Sequence, residues 1–325
     1  MQAYAIQTLN DQVVLTLVER DEAELSPTQM RIQMRAASLN RGEFIVGHGL
    51  HGKSNVPQPV GFEGSGTVIE IGQQVTAFAV GDRVMGRCPG AFATRAVMEQ
   101  REAMPIPDCL GWEAAAAVPL TYLTAYDAIY EQGQLKAGEW VLVNGVTSGV
   151  GVAALQMAKA LGAHVIGTSG SADKLAKLQG QGMTLAIQSR QADFGDAVMQ
   201  ATQNKGVHLV VNTVGGSVFA EDIRCLGFEG RLAMVGYVDG TLSASLDLQA
   251  LHAKRLRLFG VSNKLRNASQ KAAAIPGFLQ DIWPALSQGL FRPYIDQVFP
   301  FDQLDQAKDS MIANKHVGKV VVKMA

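Results

Sequence analysis

The run Trp140-Val141-Leu142-Val143-Asn144-Gly145-Val146-Thr147-Ser148-Gly149-Val150-Gly151-Val152-Ala153-Ala154-Leu155-Gln156 carries the strongest chemical signal in the chain. An apolar strand enters a turn of small residues and leaves it as a helix, and the amino terminus of such a helix presents unpaired amide hydrogens to a pyrophosphate. Gly149 and Gly151 let the backbone approach a ligand and let the helix pack tightly on the strand. The pattern is not a strict G-x-G-x-x-G, because Val146 and Ser148 stand in its first two glycine places. A tight strand-to-helix turn in any α/β protein reads much the same way. The preceding strand and the helix LQMAKALG behind it favour a dinucleotide, with Ser148, Gly149 and Val150 at its phosphates.

The end of the next strand decides which dinucleotide, because NAD binders place an acid about 20 residues on to grip the ribose 2′-hydroxyl. Here the residues are Gly167-Thr168-Ser169-Gly170-Ser171-Ala172-Asp173-Lys174, and no carboxylate ends the strand. Ser169 and Lys174 offer a hydroxyl and a cation suited to a 2′-phosphate, which a carboxylate would repel. NADPH is therefore expected over NADH. Arg190, after the third strand, adds a second positive contact in this reading, although Lys174 and Arg190 both also fit ordinary surface positions. Asn212 lies at the end of a fourth strand and Val235-Gly236 at the end of a fifth, on the carboxyl edge where ligands of open α/β sheets sit.

These residues need a scaffold that brings strand ends together. From Glu139 onward, apolar runs alternate with helical stretches: strands at 140–144, 164–169, 185–188, 208–214, 231–236 and 255–262, and helices at 152–161, 172–179, 194–202 and 217–226. Six strands with crossover helices predict one doubly wound parallel sheet. Residues 1–107 read differently, as short β-rich runs (AYAIQTL, VVLTLVER, RIQMRAAS, GSGTVIEIG, FATRAVM) punctuated by glycine and proline, a compact and mostly antiparallel unit. The final portion predicts helices at 278–288 and 303–313 and a closing strand, GKVVVKM, which is too far from the parallel series to join it and is expected to return to the first unit. The fold class is thus α/β, with a β-rich unit and a parallel-sheet unit.

A length of 325 residues suggests about two domains and a sizeable core. Lys plus Arg number 28 against 29 Asp plus Glu, so no excess of positive charge meets a nucleic-acid backbone or an anionic membrane surface. Cys88, Cys109 and Cys225 are odd in number and far apart, which suits reduced thiols and a cytoplasmic protein. No apolar run reaches the ~18 residues of a membrane span.

AASLNRGEF, PVGFEGSGTVIEIG, GDRVMG, PLTYLTAYDAI, NGVTSGVG and HVGKVVV, in this order, resemble the medium-chain dehydrogenase/reductase superfamily, and more closely its zinc-independent quinone oxidoreductase branch. The resemblance implies a GroES-like catalytic domain over 1–120, completed by 265–325, and a Rossmann NADP-binding domain over 121–264. It also implies a homodimer in which RLRLFGVS pairs with its symmetry mate. By resemblance, Asn40 lies near the nicotinamide and substrate, Thr124 contacts the nicotinamide side of the cofactor, Glu43 stands where the family often has Asp, and Asn314 falls where the family's tail folds over the cofactor, with Lys319 nearby. Phe44, Ile45, Phe62, Tyr122 and Tyr237 are candidates for an apolar pocket wall, and Tyr122 is the one among them to test as a proton donor.

No metal is expected. Zinc-dependent relatives need a Cys near the position of Asn40 and a His in a G-H-E triplet, where this chain has Gly61-Phe62-Glu63. His48 and His51 are spaced like a metal pair but lack a third ligand. Without a Lewis acid, the natural reaction is hydride delivery to an electron-poor double bond. The first expectation is an NADPH-dependent quinone or α,β-unsaturated carbonyl reductase acting on a small electrophilic acceptor. The alternatives are a 2-enoyl thioester reductase, or a non-catalytic NADPH-binding structural or RNA-associating protein.

Overall fold

The computed structural model describes residues 1–45 and 54–324; His48 and His51 lie outside the described residues. The chain divides into two compact units, Met1–Leu120 with Lys264–Ala325, and Thr121–Asn263.

In the first unit, β1 (Gln2–Leu9) and β2 (Gln12–Glu19) form a hairpin whose two loop residues, Asn10 and Asp11, both have positive φ (49° and 59°), the conformation that Asn and Asp tolerate in tight hairpin turns. With β4 (Gln58–Pro59) they make a three-stranded sheet, β2-β1-β4. A larger sheet is built from β3 (Gln29–Ser38), β5 (Glu63–Ile71), β6 (Arg83–Arg87), β7 (Arg95–Glu99), β8 (Ala103–Pro105), β15 (Ile295–Pro300) and β16 (Lys319–Lys323). Its order is β15-β16-β3-β5-β6-β8, with β7 also pairing β3. The closing strand therefore does return to the first unit, where β16 runs parallel to β15 and antiparallel to β3. Met30, Ile32 and Met34 of β3 pack with Phe92, Met98, Leu304 and Val322 in the core of this unit.

The helices of this unit are α1 (Trp112–Ala116), α8 (Ala268–Ala272), α9 (Ala274–Asp281), α10 (Trp283–Ser287) and α11 (Leu304–Ile312). The single helix expected at 278–288 is instead two. Pro284 sits in the first turn of α10, where it has no amide hydrogen to continue α9, so the chain restarts a helix there.

The second unit holds β9 (Trp140–Asn144), β10 (His164–Ser169), β11 (Leu185–Gln188), β12 (Val207–Asn212), β13 (Leu226–Met234) and β14 (Arg257–Gly260). All pairs are parallel, in the order β11-β10-β9-β12-β13-β14. The strands grow outward from β9 in one direction and from β12 in the other, so the topology switches between them, and a doubly wound sheet opens a crevice at the carboxyl ends of that pair. α2 (Pro119–Tyr126) leads into this unit and runs on as a π turn, Asp127–Glu131. α3 (Gly149–Ala160), α4 (Ala172–Lys177), α5 (Gly195–Ala201), α6 (Phe219–Cys225) and α7 (Leu248–Ala253) follow the strands. β13 starts five residues earlier than the sequence pattern suggests. Leu226 pairs with Val207, the register then shifts, and Glu229 takes a left-handed φ of 57° at the irregularity.

Candidate active site

Asn144 ends β9, and Gly145 turns the chain with a φ of 73° into the loop before α3. At Gly151 a side chain would collide with Gly145 O and Val146, so only glycine allows the helix to sit this close to the strand. Ser148 is the helix cap: its Oγ accepts the Gly151 amide hydrogen at 3.0 Å and lies 3.5 Å from Thr213 Oγ1. The first helical amides, those of Gly149 and Val150, have no intrahelical acceptor and face the positive end of a twelve-residue helix. Such a terminus suits a pyrophosphate.

Beneath the strand ends lies a buried polar network that sequence reasoning missed. Asn212 Oδ1 accepts the amide hydrogens of Val214 and Gly215, both at 2.9 Å, which fixes the orientation of its side chain. Asn144 Oδ1 accepts from Thr168 Oγ1 at 2.7 Å, which fixes the other. Both Nδ2 groups then point at the fully buried Asp222 of α6, whose carboxylate accepts from Asn212 at 2.8 Å and from Asn144. Burial pushes the Asp222 carboxyl well above its usual range, opposed by these two amide donors. Asp222 thus ties the ends of β9 and β12, and Asn144 carries the link on to β10 through Thr168. The only sequence signal was an asparagine ending each of two apolar strands that prove to be neighbours in register, Asn212 beside Asn144.

At the end of β10, Ser169 Oγ lies 3.3 Å from Thr147 Oγ1, and Ser171 caps α4 by accepting the Lys174 amide hydrogen at 3.3 Å. Arg190 is exposed, and its side chain passes over Gly170, where an added Cβ would lie 3.1 Å from its Cγ. The backbone of Lys174 and the side chain of Arg190 therefore both lie near the end of β10 that carries Ser169. Val235 and Gly236 donate their amide hydrogens to Asn212 O at 2.9 and 3.3 Å, so the ends of β12 and β13 close side by side. The Gly236 backbone is open, with nothing nearer to an added Cβ than Thr213 O at 3.5 Å.

The first unit carries a second polar centre. Asn40 precedes a 3-10 turn, Arg41–Glu43; its Nδ2 donates to Glu63 Oε1 at 2.9 Å and to Glu43 Oε1 at 3.2 Å, and its backbone amide donates to Glu43 Oε2 at 3.2 Å. Lys319 of β16 directs its ammonium at Leu39 O (2.9 Å), Asn40 Oδ1 (2.7 Å) and Glu63 Oε1 (2.9 Å), which uses all three of its donors. Glu63 Oε2 accepts from the Leu120 amide at 2.7 Å. Glu43, Glu63 and Lys319 are all buried, and of the two carboxyls it is Glu63 that the ammonium meets. Glu43 has no contact with that ammonium, and burial raises its carboxyl to about 8, against the lowering effects of Asn40 and Lys319. Both amide hydrogens of Asn40 are spent inside this cluster, so here it acts as a hub. Among the described residues, no group of three or more His, Cys, Asp and Glu is placed to hold a metal ion.

The remaining predicted residues are dispersed. Tyr122 is fully buried, its hydroxyl donates to Gln156 Oε1, and burial pushes its phenol far above the ordinary value. Thr124 is half-buried on α2. Asn314 takes a left-handed φ of 52° just after α11, with its amide hydrogen on Met311 O, so it ends that helix. Phe44 lies in the core and stacks on Phe92, while Ile45 and Tyr237 are exposed.

Two family models match the chain, the alcohol dehydrogenase GroES-like domain over residues 26–108 and the zinc-binding dehydrogenase domain over 149–275. An antiparallel unit completed by the tail, with a doubly wound unit between its parts, defines a two-domain oxidoreductase of the dinucleotide-binding kind. The chain belongs to the medium-chain dehydrogenase/reductase superfamily. Among curated relatives, it is 31% identical over 94% of its length to the highly reducing polyketide synthase lcsB of Purpureocillium lilacinum. It is 32% identical over 90% of its length to a phenolphthiocerol/phthiocerol polyketide synthase of Mycobacterium tuberculosis. The chain spans only 12% and 13% of those two proteins. Among solved structures, it aligns along its full length with the CurK enoyl reductase (25% identity, TM-score 0.84, all of that chain covered). It aligns over 99% of its length, and all of the other chain, with a mycobacterial protein complexed with NADPH (25%, TM-score 0.87) and with a quinone oxidoreductase of Pseudomonas syringae pv. Tomato DC3000 (26%, TM-score 0.86).

Proposed function

We propose that this chain is an NADPH-dependent reductase that saturates the carbon–carbon double bond of 2-enoyl thioesters. The observation that carries this reading is the kinship just described: the curated relatives are polyketide synthases, that of Purpureocillium lilacinum named highly reducing, and a structural relative covering the whole chain is an enoyl reductase. This kinship supports the thioester over the quinone, the reverse of the order expected from sequence. Quinone reduction stands as the second reading, supported by the Pseudomonas syringae relative.

When bound, NADPH supplies hydride to the β carbon of the acceptor, while a proton from water completes the α carbon. The chain's own residues bind and orient. The α3 terminus meets the pyrophosphate, and Ser169, Lys174 and Arg190 meet the 2′-phosphate. Asp222 and its two asparagines hold the strand ends beside it. Tyr122 is given no proton-transfer role, because its hydroxyl is buried and committed to Gln156. We also infer a homodimer: β14 is an edge strand with no outer neighbour among the described residues, and pairing with a second copy would satisfy its backbone.

Steady-state oxidation of NADPH with crotonyl-CoA and with 1,4-naphthoquinone tests the proposal. Saturable turnover of the thioester is expected. Fast turnover of the quinone with none of the thioester would reverse the ranking, and failure to bind NADPH at all would remove both readings.

A further inference from the structure

Inside the second unit a chain of polar side chains joins three helices. The buried Tyr122 of α2 donates its hydroxyl hydrogen to Gln156 Oε1, and Gln156, buried on α3, donates from Nε2 to Gln181 Oε1 at 3.2 Å. Gln181 lies in the turn that follows α4, with its own amide hydrogen on Leu178 O. All three residues belong to the same compact unit. A buried hydroxyl and a buried amide are expensive to leave unpaired, and apolar side chains of similar volume would fill the same space without that risk. What hydrogen bonds add is direction: apolar surfaces slide over one another, whereas a donor and its acceptor hold a distance and an angle.

The helices joined in this way are the ones that address the coenzyme in the reading given above, on which this inference rests. α3 offers its first amides to the pyrophosphate, α4 carries Lys174, assigned to the 2′-phosphate, and α2 carries Thr124, assigned to the nicotinamide side. Thr124 stands about 200° round α2 from Tyr122, so the tie to Gln156 leaves from one side of the helix and the half-buried Thr124 from the other. α3 also packs on the π turn that continues α2, which sets these two elements side by side. Gln156 lies about two turns, roughly 10 Å, along α3 from its first residue, so the tie is set back from the phosphate-binding amides.

We propose that Gln156 is a positioning residue for hydride transfer. Through Tyr122 and Gln181 it fixes α2 and the end of α4 to α3, so that the nicotinamide end of the coenzyme is held in register with the phosphates gripped further along. It acts on where the nicotinamide lies and not on how tightly the coenzyme binds, because other residues make the phosphate contacts. A small misplacement of the reacting ring is enough to slow the chemical step.

Fluorescence of NADPH bound to the protein tests this without turnover. The reduced nicotinamide is the emitting group, so its anisotropy in the binary complex reports how firmly that end is held, and titration of the same signal gives Kd. Gln156→Met keeps the volume and removes both hydrogen bonds. In this variant the anisotropy should fall while Kd changes less than about twofold, and kcat, with whichever of crotonyl-CoA and 1,4-naphthoquinone the wild type reduces, should fall about tenfold at unchanged KM for NADPH. Gln156→Glu should restore both, since a carboxyl accepts from Tyr122 and Gln181 turns its amide to meet it. If Gln156→Met fails to fold, Tyr122→Phe, which deletes one buried oxygen and cuts the same chain, carries the test. Unchanged anisotropy in a folded variant, a weakened Kd as the main effect, or losses that Gln156→Glu does not restore would overturn the proposal. A wild type that binds NADPH and leaves the thioester untouched would overturn the thioester reading alone, whereas no binding of NADPH would overturn both.

Discussion

Replacing Lys319 with Met tests the polar centre of the first unit most directly. The side chains of Lys319 and Glu63 are 5% and 0% exposed, and the ammonium is the one cation in contact with either Glu63 or Asn40 among the described residues. Met preserves the length of the side chain and removes its charge, leaving the buried Glu63 carboxyl without its counter-charge. Breaking a buried ion pair from one side costs about 3–5 kcal/mol. In a domain of this size each kcal/mol shifts the midpoint by roughly 2–4 °C, so the expected fall in Tm is about 6–20 °C by differential scanning calorimetry. Glu63→Gln in the Lys319→Met background should recover half or more of the loss. Once the ammonium is gone, Asn40 is free to turn its amide and accept from the new Gln, while the Gln oxygen still takes the Leu120 amide hydrogen. A fall below about 2 °C in the single variant, or a double variant no more stable than the single, would refute the reasoning, since either result means that the pair is worth no more than an exposed one.

Asp222→Asn sets an amide against two amides, and should raise the Kd for NADPH about tenfold by fluorescence titration through loosened strand ends; adding Asn144→Asp restores one acceptor for every donor and should restore affinity, and a silent single variant would dismiss the network's role. Lys174→Ala should weaken NADPH about tenfold and NADH hardly at all, and equal losses would mean that the 2′-phosphate sits elsewhere. Glu43 gives a pH prediction. Its carboxyl is raised in the fold, to about 8, so its protonated form stabilises the native state below the ordinary carboxylate value, and that contribution is lost as pH rises towards about 8. Wild-type stability should therefore fall between about pH 5 and 8, by at most about 1.4 kcal/mol per unit from this group, and Glu43→Gln should flatten the curve; parallel curves would show that Glu43 titrates normally.

The alternation of strands and helices in the second unit was legible because parallel strands, buried on both faces, read as unbroken apolar runs such as Val141-Leu142-Val143 and Leu209-Val210-Val211. Boundaries moved where backbone irregularity intervened, as at Glu229, or where a proline restarted a helix, as at Pro284. The phosphate loop was legible because its parts are contiguous. Neither polar network was. Asp222 sits among Glu221 and Arg224 in a helix that reads as solvated, and only the strand pairing above it reveals that one turn faces inward. Glu63 and Lys319 are ordinary charged residues until the fold closes, and no spacing rule joins them. His48 and His51, a pair whose spacing the sequence also raised, lie outside the described residues.

Glu63 and its counter-charge are separated by 256 positions, with the whole parallel-sheet unit encoded between them. On a ribosome the inserted unit therefore emerges complete while its host still lacks β16, the strand that fills the gap between β15 and β3. A nascent chain halted before Lys319 would hold two acids in a nearly formed interior with no ammonium to meet them. Synthesis from the amino terminus thus matures the nucleotide-binding half first and holds the other half open until the codons of β16 are read.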